Sequence, residues 1–227
     1  MLVKINHQFV LRITIYLFSL ALLAMGVAIA INSDLGVSPV NCLPYALAQI
    51  LEVPLSTSII IVYTIFVLLQ IAILKKDFKP YLLLQLVFAV IFGYFVDFFK
   101  LILGDLRLPG YVGQLTMVII SAVCIGVAIA MYLSVRLLPL PMEGLVSAIT
   151  IALKGKVKFS VVKTVCDSAS VIIAASLSWI FLGKLVGVRE GTVITALIIG
   201  PIAGLAQKYI TPTIEKAVFD KTIPGNV

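Results

Sequence analysis

DLGVSPVNCLPYALAQILEVP, residues 34–54, decides how this chain folds: it is apolar, carries Pro39 near its start and leaves only about three helical turns after it. A second stretch of the same kind, LLPLPMEGLVSAITIALKGK, occupies residues 137–156. Each follows an identical pentapeptide, GVAIA, at 26–30 and again 100 residues on at 126–130, with Pro39 and Pro139 nine residues beyond. Between 26–52 and 126–152 only seven of 27 positions are identical, a figure that apolar composition inflates. Agreement in the order of elements is the better argument for a doubled membrane unit.

Outward from these inserts lie apolar runs at 9–32, 57–74, 80–103, 112–135, 160–182 and 192–210. Each is roughly the ~20 residues that ~30 Å of hydrocarbon requires. With 62% hydrophobic and 12% charged residues in 227, and a mean hydropathy of +1.19, the chain is sorted as an integral membrane protein. Little is left for an aqueous domain. The start imitates a secretory signal, with Lys4, Arg12 and the Ala28-Ile29-Ala30 triplet, but the apolar run is long enough to span and its GVAIA ending recurs mid-chain, so cleavage is not expected.

The inserts are either full spans, giving eight helices, or re-entrant or interfacial half-helices, giving six, and the distribution of Lys and Arg decides. With six spans and a cytoplasmic N-terminus, thirteen basic residues fall inside, among them Lys4, Arg12, Lys75, Lys76, Lys79, Arg136, Lys154, Lys163 and Lys221. Four fall outside: Lys100, Arg107, Lys184 and Arg189. Eight spans would put the 75–79 cluster outside. The expected fold is therefore all-α: six transmembrane helices plus two half-helices, with both termini cytoplasmic. Three spans per half is an odd number, so 105–227 should repeat 1–104 upside down. The net charge of +7 follows from this asymmetry and does not imply a nucleic-acid partner.

The candidate solute-binding residues are Ser38, Asn41, Glu143, Lys163 and Asp167. Ser38-Pro39 and residues 139–143 read as helix starts, with Ser as N-cap, Pro at the first helical position and Glu143 complementing the dipole. Glu143 is then either a first-turn acid or a membrane-embedded group that binds a cation or a proton. Asn41 either caps a helix or hydrogen-bonds a solute. Lys163 and Asp167, four apart, share a face of the fifth span, as a neutralised packing pair or as a switch that a substrate competes for. With Glu143 at one tip only, the charge of the substrate stays open between cation and anion.

Asp97 and Lys100 sit near an outer end where snorkelling is easy. Gln70, Gln85 and Gln207 are expected to contact neighbouring helices. GPIAG, 200–204, has small-xxx-small spacing for close helix packing, and its Pro201 can break the last span. Cys42, Cys124 and Cys166 lack CxxC or Cys/His spacing, and His7 stands alone. No HExxH, GxSxG, Walker or dinucleotide glycine pattern occurs, so neither an enzyme nor a cofactor is expected.

GVAIAINSDLGVSPVNCLPYAL at 26–47, PMEGLVSAI at 141–149 and GTVITALIIGPIAG at 191–204 resemble the bacterial YczE/YyaS/YitT family of integral membrane proteins. The resemblance implies an inner-membrane location and no particular reaction. The functional expectation is a secondary transporter or exporter of a small polar solute. The rival is a non-transporting membrane partner that captures a substrate for, or assists, a larger complex. Homo-oligomer formation stays open.

Overall fold

The structure, a computed structural model, describes residues 7–219, and the regular elements among them are all helices. Lys4 and Lys221, two of the basic residues used for orientation, lie outside the described residues. Six helices are long and apolar enough to cross a membrane: α1 (His7–Ser33), α3 (Leu55–Leu74), α4 (Leu84–Leu103), α5 (Gly110–Ser134), α7 (Phe159–Leu182) and α8 (Glu190–Phe219). The inserts form α2 (Pro39–Leu51, 13 residues) and α6 (Pro141–Ala152, 12 residues). At 1.5 Å per residue neither exceeds about 20 Å, short of the ~30 Å a bilayer core demands. Six spans and two short helices is the count expected from the charge pattern.

Proline sets where both short helices begin. Ser38 and Leu140 are extended, and Pro39 and Pro141 follow at the first helical position, where a missing N–H costs no hydrogen bond. Ser38 occupies the N-cap position without making a side-chain cap bond. α2 stops where Glu52 turns left-handed, its N–H on the Ala48 carbonyl, and Pro54 prevents resumption before α3.

The helix ends gather into two groups. At one end, Asn32 Nδ2 donates to the Gly104 carbonyl (2.9 Å), Arg189 Nη1 to the Asp34 carbonyl (2.6 Å) and the Val37 N–H to the Gly187 carbonyl (2.9 Å). At the other, Arg12 Nε and Nη2 donate to the carbonyls of Val135 (3.0 Å) and Arg136 (2.9 Å). Arg136 pairs with Glu215 (2.6 Å), and the Arg12 guanidinium stands over the Phe219 ring. The segments after α1, α4 and α7 thus share one end, and the start of α1 joins the ends of α5 and α8 at the other. Successive long helices alternate in direction.

Two groups of helices result. α4, α1, α5 and α8 pack in a row in that order, while α2 and α6 each touch both α3 and α7, so these four close a ring. α3 joins the ring to α4; α7 and α8, though consecutive, do not pack along each other. The GVAIA glycines serve helix crossings in the row. A Cβ on Gly26 would lie 2.8 Å from Ile125 Cγ1, and the Gly26 carbonyl accepts from Ser121 Oγ at 2.7 Å. A Cβ on Gly126 would lie 2.6 Å from Ile202 Cγ2. The two copies therefore meet different neighbours, α5 for the first and α8 for the second, and both use the small residue for close approach.

GPIAG behaves differently from its expected packing role. Gly200 and Gly204 have nothing within 4 Å of where a Cβ would stand, and both are exposed. Nor does Pro201 break the last span: α8 runs through Pro201 and Pro212 without interruption. A membrane helix tolerates the lost bond because neighbours and local adjustment satisfy the freed carbonyl.

Candidate functional site

α6 begins among buried residues, and carbonyls at its start take donors from other helices. Tyr16 Oη of α1 donates to the Leu138 carbonyl at 2.9 Å, and Gln70 Nε2 of α3 donates to the Pro141 carbonyl at 3.0 Å. Gln70 and Gln85 of α4 also exchange amide hydrogen bonds, each 3.3 Å, and both side chains are fully buried. Gly144 lets the helix settle on that pair. A Cβ there would lie 2.6 Å from Gln85 Oε1 and 2.8 Å from Gln70 Oε1. Gln70 and Gln85 contact neighbouring helices as expected, but their particular task is to seat the first turn of α6.

That turn carries Glu143, half-buried. The Tyr132 hydroxyl of α5, 1% exposed and without a hydrogen-bond partner, is directed at its carboxylate. Lys163 and Asp167 of α7 are within electrostatic reach of Glu143, as is Tyr63 of α3. Lys163 Nζ holds both Asp167 oxygens, at 2.8 and 3.0 Å, and the pair keeps about a quarter of its side-chain surface accessible (25% and 23%). On α2, Cys42 lies within reach of Asp167. Residues of α5, α6 and α7 thus form one polar centre containing two carboxylates and one ammonium.

Ser38 and Asn41 hold to each other instead. Asn41 Nδ2 donates to Ser38 Oγ at 2.8 Å, which occupies the hydroxyl expected to cap α2, and Asn41 Oδ1 is buried without a donor. Among the described residues no hydrogen bond or ion pair joins Ser38 or Asn41 to Glu143, Lys163 or Asp167. The structure thus brings Glu143, Lys163 and Asp167 together, and leaves Ser38 and Asn41 as a separate pair at the start of α2. Two grooves open elsewhere. One of about 450 Å³ lies between α5 and α8, beside Ser134, Gln207 and Glu215. Another, of about 320 Å³, lies at the opposite end beside Asp34, Tyr45, Lys184 and Arg189.

Residues 10–208 match a family of unknown function, DUF6198. The chain belongs to that family. It is also 31% identical over 146 residues to the uncharacterized membrane protein YczE of Bacillus subtilis (strain 168). That similarity covers 64% of this chain and 66%, just under two thirds, of YczE. No solved structure matches. The DUF6198 region takes in all six long helices at least in part, both short ones, and all five candidate residues.

Within this DUF6198 chain, the tyrosines of the site lie beyond the residues singled out from sequence. Tyr16, which holds the Leu138 carbonyl at the α6 entrance, meets the Tyr132 ring edge-on at 6.1 Å. Tyr63 stacks with Phe92 at 6.1 Å. Asp97 does more than sit near a helix end: its two oxygens accept from the Ser56 N–H at 3.3 and 3.2 Å, capping the start of α3 from α4. A carboxylate inside a span was the available signal, since such a group needs a partner.

Proposed function

We propose that this chain is a secondary transporter or exporter of a small polar solute in the bacterial inner membrane, with both termini cytoplasmic. The observation that carries the reading is the polar centre of the ring. Glu143, Lys163 and Asp167 stand inside an apolar bundle, where charge is costly unless it has a function or a partner. Glu143 also sits at the start of a broken helix, as solute-binding groups commonly do in transporters.

Two inverted halves are part of the proposal, with α2 and α6 as re-entrant or interfacial half-helices. The pattern of contacts supports it. Exchanging α1 with α5, α2 with α6, α3 with α7 and α4 with α8 turns the α2–α7 contact into α6–α3, α2–α3 into α6–α7, and α1–α4 into α5–α8. The α3–α4 seam is packed while its counterpart, α7–α8, is open. An inverted repeat resting in one of two access states has this asymmetry, one seam closed and the other parted.

The accessory reading draws on the bare face of α8, where Gly200 and Gly204 are free for close packing by another helix. Reconstitution separates the two. Proteoliposomes holding only this chain, loaded by turns with unlabelled amines, amino acids and short carboxylates, should take up the matching labelled solute by exchange. Glu143→Gln should reduce that exchange at least tenfold while melting as wild type does, a loss on the order of one charge-assisted hydrogen bond. Exchange that appears only when another membrane protein is added would favour the accessory reading.

A further inference from the structure

We infer that the polar centre binds a small organic cation carrying N–H donors, a primary ammonium or a guanidinium, with Glu143 as its counter-charge and Tyr132 Oη as a second contact. The inference rests on the transport reading for the place of the site but not for its chemistry.

Charge gives the sign of the ligand. Lys163 is committed to Asp167, both of whose oxygens it holds, and the two neutralise one another. Glu143 has no such partner: no ion pair reaches it among the described residues, and when ionised it gives the centre one excess negative charge. A negative charge in an apolar bundle is stable only when it is paired, protonated or met by a cation. Glu143 is half-buried and retains some accessible surface.

Hydrogen bonding then narrows the class. Tyr132 Oη, 1% exposed and unpartnered, is an oxygen that can accept from a ligand N–H beside the carboxylate. A buried polar atom left without a partner is the exception in a native protein and asks for an explanation. Metal ions fit poorly. One carboxylate and one hydroxyl fall short of the six or so oxygens that Mg²⁺ or Ca²⁺ requires, and no group of three His, Cys, Asp or Glu side chains stands ready among the described residues. An ammonium needs only a few acceptors, which a carboxylate and a neighbouring hydroxyl supply.

Thermal melting of the purified full-length protein in detergent tests this directly, since a ligand that prefers the folded state raises the midpoint. The probes are n-butylammonium, guanidinium, butyrate and sodium, each as a titration at constant ionic strength. Both nitrogen cations should raise the midpoint of the wild-type protein, with no response to butyrate or sodium. Glu143→Gln should abolish the response, and Tyr132→Phe should weaken the apparent affinity about tenfold, the effect of one hydrogen bond near a charge. Tyr132→Phe keeps the ring packing and carries the test if Glu143→Gln is not recovered folded. A rise with butyrate or with sodium, no rise with either nitrogen cation, or an unchanged cation response in the variants would each overturn the inference. Exchange of a neutral or anionic solute by the same preparation would remove the cation and leave transport standing. Cation binding without exchange of any solute would do the reverse.

Discussion

Lys163 and Asp167 illustrate how a charge inside a membrane is kept at tolerable cost. One turn apart on α7, they form a bidentate contact at 2.8 and 3.0 Å before any other helix is considered. Removing Lys163 alone would leave Asp167 facing Glu143, two carboxylates with no cation. Lys163→Met should therefore destabilise the fold by about 1–3 kcal/mol, the cost of a buried polar group left without its partner. Lys163→Met together with Asp167→Leu should restore much of that loss, because apolar replacement of a whole ion pair is often neutral. Comparative melting in detergent checks the order. A double variant as unstable as the two single losses combined would show that the pair does more than neutralise itself. If the double variant is stable and still fails to exchange solute, the pair belongs to the mechanism.

At the scale of elements, the short helices and the six spans were legible because the controlling physics is local or one-dimensional. Prolines 39 and 141 fix helix starts by removing donors, apolar length decides what crosses, and Lys and Arg placement chooses between six and eight spans. Which helices pack together was not legible, because every span is apolar nearly all round and carries little facial signal. Hence Glu143, Lys163 and Asp167 could be named singly from sequence, whereas the tyrosines around Glu143 and the Gln70–Gln85 seat of α6 needed the third dimension. Ser38 shows the same limit, since its expected cap role is displaced by an amide three residues away. Asp97 is the element-scale case with a measurable consequence. The first N–H groups of α3 have no intrahelical acceptor, and Asp97 supplies one to Ser56 from the neighbouring span. Asp97→Ala should cost about 1 kcal/mol, in the range for a lost N-cap, and Asp97→Asn less, since an amide oxygen still accepts. Hydrogen exchange at the start of α3 should quicken in the alanine variant and stay near wild type in the asparagine one. Equal protection in both would assign the capping of α3 to another group.

The whole molecule turns on which ends lie together. Arg12, Arg136, Glu215 and Phe219 meet at one end through hydrogen bonds, an ion pair and a cation–ring contact, while Asp34, Gly104, Gly187 and Arg189 meet at the other. These contacts link segments from both halves of the chain, so an eight-span arrangement, which would reverse the direction of every helix between the inserts, is incompatible with them. The orientation proposed from the distribution of basic residues puts the Arg12 end in the cytoplasm. Single cysteines placed at Lys76, Arg107 and Lys184, in a chain whose three native cysteines are replaced, test alternation and orientation together. In intact cells a membrane-impermeant thiol reagent should modify cysteine at 107 and 184, and spare cysteine at 76 until the membrane is opened. Modification of 76 with sparing of the other two would keep the fold and reverse its orientation. Modification of all three in sealed cells would break the alternation of helices, and with it the proposed inversion of the two halves.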